Sequence, residues 1–306
     1  MTTIISLIGE QNIPNLLPIL HLQPERVIVV HTDFTKETAI RLTRLIQKKT
    51  GAEEFLLVVD AYNIDQTKNC ILAATRPFLP TDILVNFTGG TKMMSLAAYQ
   101  AGADLNAPIF YVQSQGKKTI LYTYMPDNGR YPLQKTEEIP TLIAITDYLD
   151  AHLDDYRIVG IISGSERGRR FEEAVYRALE PAVDEICAGV KMLNTVDIDF
   201  VVRCGNLVGI VETKTGLNKP KVGVDQLNTA GGRAYLGIYT QKFLVCDQVW
   251  GNNLQDLKQI AAERKIKLIE LPSFGQNDTL SDDDVATLQS EIRSALGRVT
   301  QTAVAK

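Results

Sequence analysis

"DILVNFTGGTKMMSLAAYQAGA" runs from Asp82 to Ala103. It holds an apolar run of strand length, two adjacent glycines, and then Met94, Ala97, Ala98 and Ala101 at helical spacing. The spacing predicts a strand over 82–87 and a helix over Thr91–Ala103. A buried strand passing through glycines into a helix is the βα unit of an open parallel sheet. The Gly89-Gly90 pair admits two readings. It is a plain turn with Thr91 as helix cap, or it is a cradle. In a cradle, glycines let a ligand approach the backbone, and the free N–H groups of the following helix attract anions.

The same alternation recurs upstream. Residues 3–9, 26–31 and 55–59 read as continuous apolar strands, and Thr38–Lys48 as a covering helix. Such strands, separated by helices, point to a Rossmann-like parallel sheet covered on both faces. Ligands of these sheets bind outside the carboxyl ends of the strands. Three loops fall there: Gly9-Glu10-Gln11-Asn12, His31 to Thr35, and Asn86 to Lys92. All carry hydroxyls or amides suited to phosphate oxygens or base edges. Neither GxGxxG nor GxxxxGK[ST] is present, which disfavours an ordinary NAD or ATP site.

The chain has 306 residues, enough for two domains at ~100–200 residues each. Its net charge is -4, so any nucleic-acid site must be a local basic patch. Cys70, Cys187, Cys204 and Cys246 have no zinc-type spacing and read as reduced thiols. No run reaches the ~18 apolar residues of a membrane helix, and no leader pattern opens the chain. A cytoplasmic protein without membrane contact is the expectation. Pro126 to Pro132 and Ser163 to Ser165 are turn-rich breaks, and Thr141–Leu153 reads as a short helix. The domain boundary is placed near 150, giving domains 1–150 and 151–306. Asp282, Asp283 and Asp284 read as a solvated helix start rather than a metal site.

"GRRFEEAVYRALE", Gly168 to Glu180, is an amphipathic helix with Phe171, Ala174, Val175, Ala178 and Leu179 on one stripe. Glu172 borders that stripe, whereas Glu173 faces Arg177 as an exposed pair. In "TVDIDFVVRCGNLVGIVETKTG", Thr195 to Gly216, Gly205-Asn206 suits a two-residue hairpin turn. That turn pairs Cys204 with Leu207 and Phe200 with Val211, and it sets Asp199 opposite Glu212. Directly opposed residues have Cβ atoms ~4.5–5.5 Å apart. Lys214, two residues on, shares the face of Glu212. Two such carboxylates repel unless compensated. A Mg²⁺ or Mn²⁺ ion would do so, since Mg²⁺ sites use one or two carboxylates with waters and phosphates. The competing reading is a surface pair balanced by Lys214. Arg167, Arg169, Arg170, Lys219 and Lys221 flank this stretch as a candidate basic patch or a solvated face. His21, His31 and His152 lie outside the second half or at its border, which disfavours a His-based, metal-independent ribonuclease.

Two resemblances follow from these stretches. "SLIGEQNIPNLL" and "NFTGGTKMMSLAAYQAG" resemble the CARF domain, the CRISPR-associated Rossmann fold, over roughly residues 1–145. The resemblance implies a homodimer binding cyclic oligoadenylate, with cyclic tetra-adenylate the expected ring. It implies ring contacts from Gly9, Gln11, Asn12, Thr32, Asn86, Thr88, Gly89, Gly90, Thr91 and Lys92. Glu172, then Asp199, then Glu212-Thr213-Lys214 resembles the PD-(D/E)XK nuclease fold, with Ile198 in place of the proline. That likeness implies a restriction-endonuclease-like C-terminal domain that cuts DNA or RNA with a divalent metal. Asp199 and Glu212 would hold the metal, Lys214 would assist water attack, and Glu172 would support the site. It also implies that Gln226 approaches the site and that Arg233 meets substrate phosphate. The expected whole is an α/β effector of type III CRISPR defence gated by cyclic oligoadenylate. Three alternatives stay open: a sensor without cleavage, a ring nuclease, and a restriction or repair nuclease with an unrelated Rossmann domain.

Overall fold

The structure of the protein, a computed structural model, describes residues 1–115, 118–162, 164–192, 196–216 and 220–297. Ser163, Thr195 and Lys219, named above, lie outside the described residues. The chain divides into two compact units. The first comprises Met1–Ile143 with Asp150–His152, and the second comprises Ala144–Leu149 with Leu153–Lys306.

The first unit runs β1 (Thr3–Leu7), α1 (Ile13–Leu22), β2 (Arg26–His31), α2 (Lys36–Thr50), β3 (Glu53–Val58), α3 (Ile64–Thr75), β4 (Ile83–Asn86), α4 (Lys92–Asp104), β5 (Ile109–Gln115), β6 (Lys118–Tyr124) and β7 (Leu133–Ile139). Its sheet has the order β3-β2-β1-β4-β5-β6-β7. The strands from β3 to β5 are parallel. Strands β6 and β7 add an antiparallel extension, with the Pro126–Pro132 break between them. That extension is not part of the parallel sheet read from the sequence. β1 is buried along its whole length, as its apolar run demands. β3 is different: it is the edge strand, and Phe55, Leu56 and Val58 are exposed. An apolar run reports strand propensity but not which strand ends the sheet.

The order reverses between β1 and β4, because β1, β2 and β3 are laid down in one direction and β4 and β5 in the other. This is the switch point, where loops diverge and leave a crevice.

In the second unit α5 (Ile145–His152), shared between the units, precedes β8 (Tyr156–Ile158), α6 (Glu166–Leu179), β9 (Glu185–Met192), β10 (Val196–Cys204), β11 (Leu207–Lys214), α7 (Pro220–Ala230), β12 (Gln241–Cys246), α8 (Gln255–Glu263), β13 (Ile266–Glu270), α9 (Pro272–Asn277) and α10 (Asp282–Leu296). The sheet order is β13-β12-β11-β10-β9-β8. The β8-to-β11 pairs are antiparallel, and β12 and β13 continue parallel. Phe171, Val175 and Leu179 of α6 pack into one core with Phe200, Val211, Phe243, Leu288 and Ile292. Truncating a residue as buried as Phe171 costs about 3–5 kcal/mol. Ser165 starts α6, its hydroxyl accepting from the Gly168 N–H at 3.0 Å. Ser281 caps α10 in the same way, and the Asp284 carboxylate accepts from Ser273. Among the described residues all four cysteines are free, and no helix is long and apolar enough to cross a membrane.

Candidate functional site

Two constellations stand out, one in each unit. The first lies at the switch point. Gly9 follows β1 and Gly90 follows β4, and a Cβ placed on Gly9 would sit 3.3 Å from the Gly90 nitrogen. The two loops therefore touch. A Cβ on Gly89 would fall 2.0 Å from the Leu7 carbonyl oxygen, so no side chain fits there. Gly90 has φ +74°, a left-handed conformation that favours glycine. Glycine is thus required by close approach at one position and by backbone angle at the next.

Beneath the loops lies a buried polar network. The Asn86 amide donates to Ser6 Oγ and Asn15 Oδ1, each at 3.2 Å. Ser6 Oγ donates to Asn15 Oδ1 at 2.9 Å. Asn86 Oδ1 accepts the Thr88 N–H at 3.0 Å, and Thr88 Oγ1 accepts the Val112 N–H at 2.8 Å. Thr91 Oγ1 accepts from the Met94 N–H, capping α4, and donates to the Ala61 carbonyl at 2.5 Å.

This places the expected ring contacts in two groups. Gly9, Gln11, Thr88, Gly89, Gly90, Thr91 and Lys92 all keep surface beside the crevice, and Lys92 is exposed on the first turn of α4. Asn86 and Asn12 do not. Asn86 is fully buried, and Asn12 is buried with its amide donating to the Thr38 and Ala151 carbonyls. With no surface to offer a ligand, they support the loops from below. Thr32 is half-buried, and its hydroxyl is 3.2 Å from that of Thr35 within the turn that opens α2. Ser6 and Asn15 belong to the support as well, and the sequence reading missed them. Their signal is a polar residue inside an otherwise apolar strand and helix.

The second constellation is built on the β10–β11 hairpin. Gly205 and Asn206 form its two-residue turn, with Gly205 at φ +59°. The observed register pairs Cys204 with Leu207 and Phe200 with Val211. The paired stretch ends at Phe200 and Val211, and the next residues, Asp199 and Glu212, lie close enough for the Asp199 charge to act on Glu212. Glu212 is 2% exposed. Burial, then the Asp199 charge, pushes its carboxyl up to about 8, against the pull of Lys214, while Glu172 adds to the rise. Lys214 Nζ donates to Glu212 Oε1 at 2.5 Å. Asp199 Oδ2 accepts from both the backbone N–H and the hydroxyl of Thr213, at 2.6 and 2.7 Å. Burial raises Asp199 too, and those two bonds hold it down. The structure therefore brings together Asp199, Glu212, Lys214 and the buried Glu172 of α6.

A divalent cation fits this donor set. Glu212 Oε2 is buried without a hydrogen-bond partner, and two neighbouring carboxylates raise each other's proton affinity. Among the described residues no three His, Cys, Asp or Glu side chains gather as a complete metal cage. A site completed by waters and substrate phosphate needs only one or two carboxylates.

Three further residues shape the surroundings. A Cβ on Gly223 of α7 would touch the Lys214 side chain at 3.2 Å, so the glycine lets α7 close over the lysine. Gln226, one turn along α7, has a buried Oε1 without a partner. Asp247 is fully buried after β12. It accepts from the Gly216 N–H at 2.7 Å and from Arg167 at 2.8 Å, tying the end of β11 to the start of α6. The sequence reading missed Asp247, a lone acid at the end of an apolar strand.

Three of the five candidate basic residues are ion-paired. Arg167 is held by Asp247, Arg169 by Glu166 and Glu173, and Arg170 by Asp278. Glu173 pairs with Arg169 rather than with the expected Arg177. Both arginines lie four residues from it, and helical spacing does not choose between the two directions. Lys221 and Arg233 are exposed.

Residues 3–148 match the family model described as the Card1 CARF domain. No curated protein matches the chain. Among solved structures the chain resembles Can2 from Sulfobacillus thermosulfidooxidans in complex with cyclic tetra-adenylate. The TM-score is 0.73 and the identity 18%, over 97% of this chain and 100% of that one. It also resembles VC1899 from Vibrio cholerae, with TM-score 0.72 and 15% identity over 97% and 99% of the two chains. A type III CRISPR defence DNA nuclease activated by cyclic oligoadenylate gives TM-score 0.60 and 16% identity, over 81% of this chain and 46% of that one. Likeness at these identities is one of fold, and in the first two cases it spans both units. The chain is a two-domain α/β protein whose residues 3–148 match the model of the Card1 CARF domain.

Proposed function

We propose that the chain is a nuclease of type III CRISPR defence, switched on by cyclic oligoadenylate, most simply cyclic tetra-adenylate, and dependent on Mg²⁺ or Mn²⁺. The observation that carries this reading is the pair of half-buried Asp199 and buried Glu212, with Lys214 at 2.5 Å from Glu212, in the same chain as a match to a CARF domain. A surface pair balanced by lysine would not be 2% exposed at Glu212 with one oxygen unpartnered.

In the first unit, Gly89 and Gly90 let the ring approach the backbone. The α4 N-terminus and Lys92 supply positive potential for its phosphates. As in other CARF domains, the ring would lie between two copies of the chain. A ligand that binds an active arrangement better than a resting one shifts the population toward it.

In the second unit, Asp199 and Glu212 would hold the metal. A bound divalent ion polarises the phosphodiester and lowers the pKa of bound water. Glu212 must give up its proton for this role. Thr213 fixes Asp199 through two hydrogen bonds, so that carboxylate is oriented before substrate arrives. Lys214 places its ammonium beside the carboxylates, where it stabilises charge gathering on the phosphoryl oxygens and orients the attacking water. Glu172 supports the site from α6. The arrangement is the one expected of a PD-(D/E)XK nuclease.

The test is cleavage of labelled single-stranded DNA, supercoiled plasmid and RNA with Mn²⁺, with and without cyclic tetra-adenylate. Cutting that needs the ligand supports both halves of the reading, and the lanes identify the substrate. Cutting without ligand removes the gate. Tight ligand binding with no cutting leaves a sensor, and linear adenylate products reveal a ring nuclease.

A further inference from the structure

We infer that Tyr62 is a stacking platform for a purine base of the cyclic nucleotide, an inference resting on the reading of the crevice just given. The residues that line the crevice are glycines, hydroxyls, an amide and a lysine. They can serve phosphates and base edges, but none offers an apolar face to a purine ring. Tyr62 does. It is 78% exposed, on the loop between β3 and α3, at the carboxyl edge of the parallel strands.

Its loop is tied to the glycine loop. Thr91, which caps α4 directly after Gly90, donates to the carbonyl of Ala61 at 2.5 Å. Tyr62 is therefore one residue from the point where the two loops join. Its backbone is also pinned. The Tyr62 N–H donates to Asp60 Oδ1 at 2.8 Å, and the Asp60 N–H donates to Gln66 Oε1 at 3.0 Å. Thr67 Oγ1 donates to the Asp60 carbonyl at 2.9 Å, and Asn63 caps α3 by accepting from the Gln66 N–H at 3.0 Å. A large apolar side chain is held out in solvent by a loop whose every turn is hydrogen-bonded. Rigid aromatic faces bind bases at low entropic cost, and stacking tolerates any base because each has a π face. Phe34, another exposed aromatic of this edge, stands on the loop after β2, whose hydrogen bonds join Thr32 to Thr35.

The experiment is calorimetric titration of the full-length protein with cyclic tetra-adenylate, with light scattering on the same samples. Four proteins are compared: wild type, Tyr62→Ala, Tyr62→Phe and Leu79→Ala. Leu79 is also exposed but precedes β4, at the opposite edge of the sheet, and controls for surface apolarity. The expected result is binding about tenfold weaker for Tyr62→Ala. Tyr62→Phe and Leu79→Ala should match wild type, and the oligomeric state should not change. Wild-type affinity in Tyr62→Ala overturns the proposal while leaving the crevice reading intact. Weakened binding accompanied by dissociation of the oligomer also overturns it, because Tyr62 would then be a subunit contact. No binding by the wild type overturns the crevice reading and the proposal together.

Discussion

The crevice of the first unit and the carboxylate pair of the second are both built on β-sheets, but they store energy in opposite ways. Beneath the crevice the buried side chains are uncharged and bond one another. Ser6, Asn15 and Asn86 bond one another, and Asn86 in turn fixes the Thr88 backbone. The loops are shaped in advance, and a ligand meets a surface needing little rearrangement. At the β10–β11 hairpin two carboxylates meet, Glu212 buried and Asp199 half-buried, and burial first, then the Asp199 charge, pushes Glu212 up to about 8. On the reading proposed above, a cation would complete that site. A sensor gains from preorganisation because ordering costs subtract from affinity. A metal site of the kind proposed would gain from an excess of negative charge that Lys214 offsets only in part.

The sharpest way to break the comparison is Glu212→Ala. Cleavage should fall by about 10³-fold or more, since several kcal/mol of transition-state charge stabilisation are lost. Affinity for cyclic tetra-adenylate should not change. Cleavage time courses beside calorimetry check both, and retained cutting would move the chemistry away from the hairpin.

The converse change is Gly90→Leu. Its φ is +74°, and a Cβ there lies 3.2 Å from the Cβ atoms of Leu7 and Met94. Ligand affinity should drop about tenfold or more from overpacking and backbone strain. Metal binding to the second unit, followed by calorimetry with Mn²⁺, should be unaffected. Wild-type ligand affinity would remove the cradle.

A smaller effect tests the cost of ionising Glu212, set first by its burial and then by the Asp199 charge. The folded-state value of Glu212, about 8, lies above the ordinary 4.5. Between those values the folded chain holds more protons than the unfolded one, so metal-free wild type loses stability as pH rises through this window. Glu212→Gln cannot ionise and escapes that loss. Its Tm in chelator should exceed that of wild type, by a margin that grows from about pH 5 to about pH 9. The gain should be a few degrees, at about 2–4 °C per kcal/mol. Mn²⁺ should reverse the order by binding only wild type. An equal margin at both pH values contradicts the raised Glu212 value.

The smallest effect is a null. Arg169 is held by Glu166 and Glu173 on the solvent face of α6. Arg169→Ala should leave Tm and cleavage unchanged. A loss of nucleic-acid binding on filter assays would restore the basic patch.

What the sequence determined by itself is local. Continuous apolar runs marked β1, β2 and β4. The change to helical spacing after Gly90 marked α4. Gly205-Asn206 specified the hairpin, and a two-residue turn leaves no freedom in register, so the facing of Phe200 and Val211 was legible from composition and spacing. Tertiary structure decided the rest, because burial depends on neighbours distant in sequence. The apolar β3 lies at the sheet edge because nothing pairs beyond it, so Phe55 and Val58 are exposed. Asn12 and Asn86 look like surface amides in sequence, yet each is buried where another element covers it. Whether Arg167 faces substrate or Asp247 rests on a partner eighty residues away. The same holds for Tyr62, whose place beside the glycine loop is made by one hydrogen bond from Thr91 to Ala61. Periodicity and turn chemistry act between near neighbours. Charge pairing, edge position and loop contact are set only when the sheet assembles.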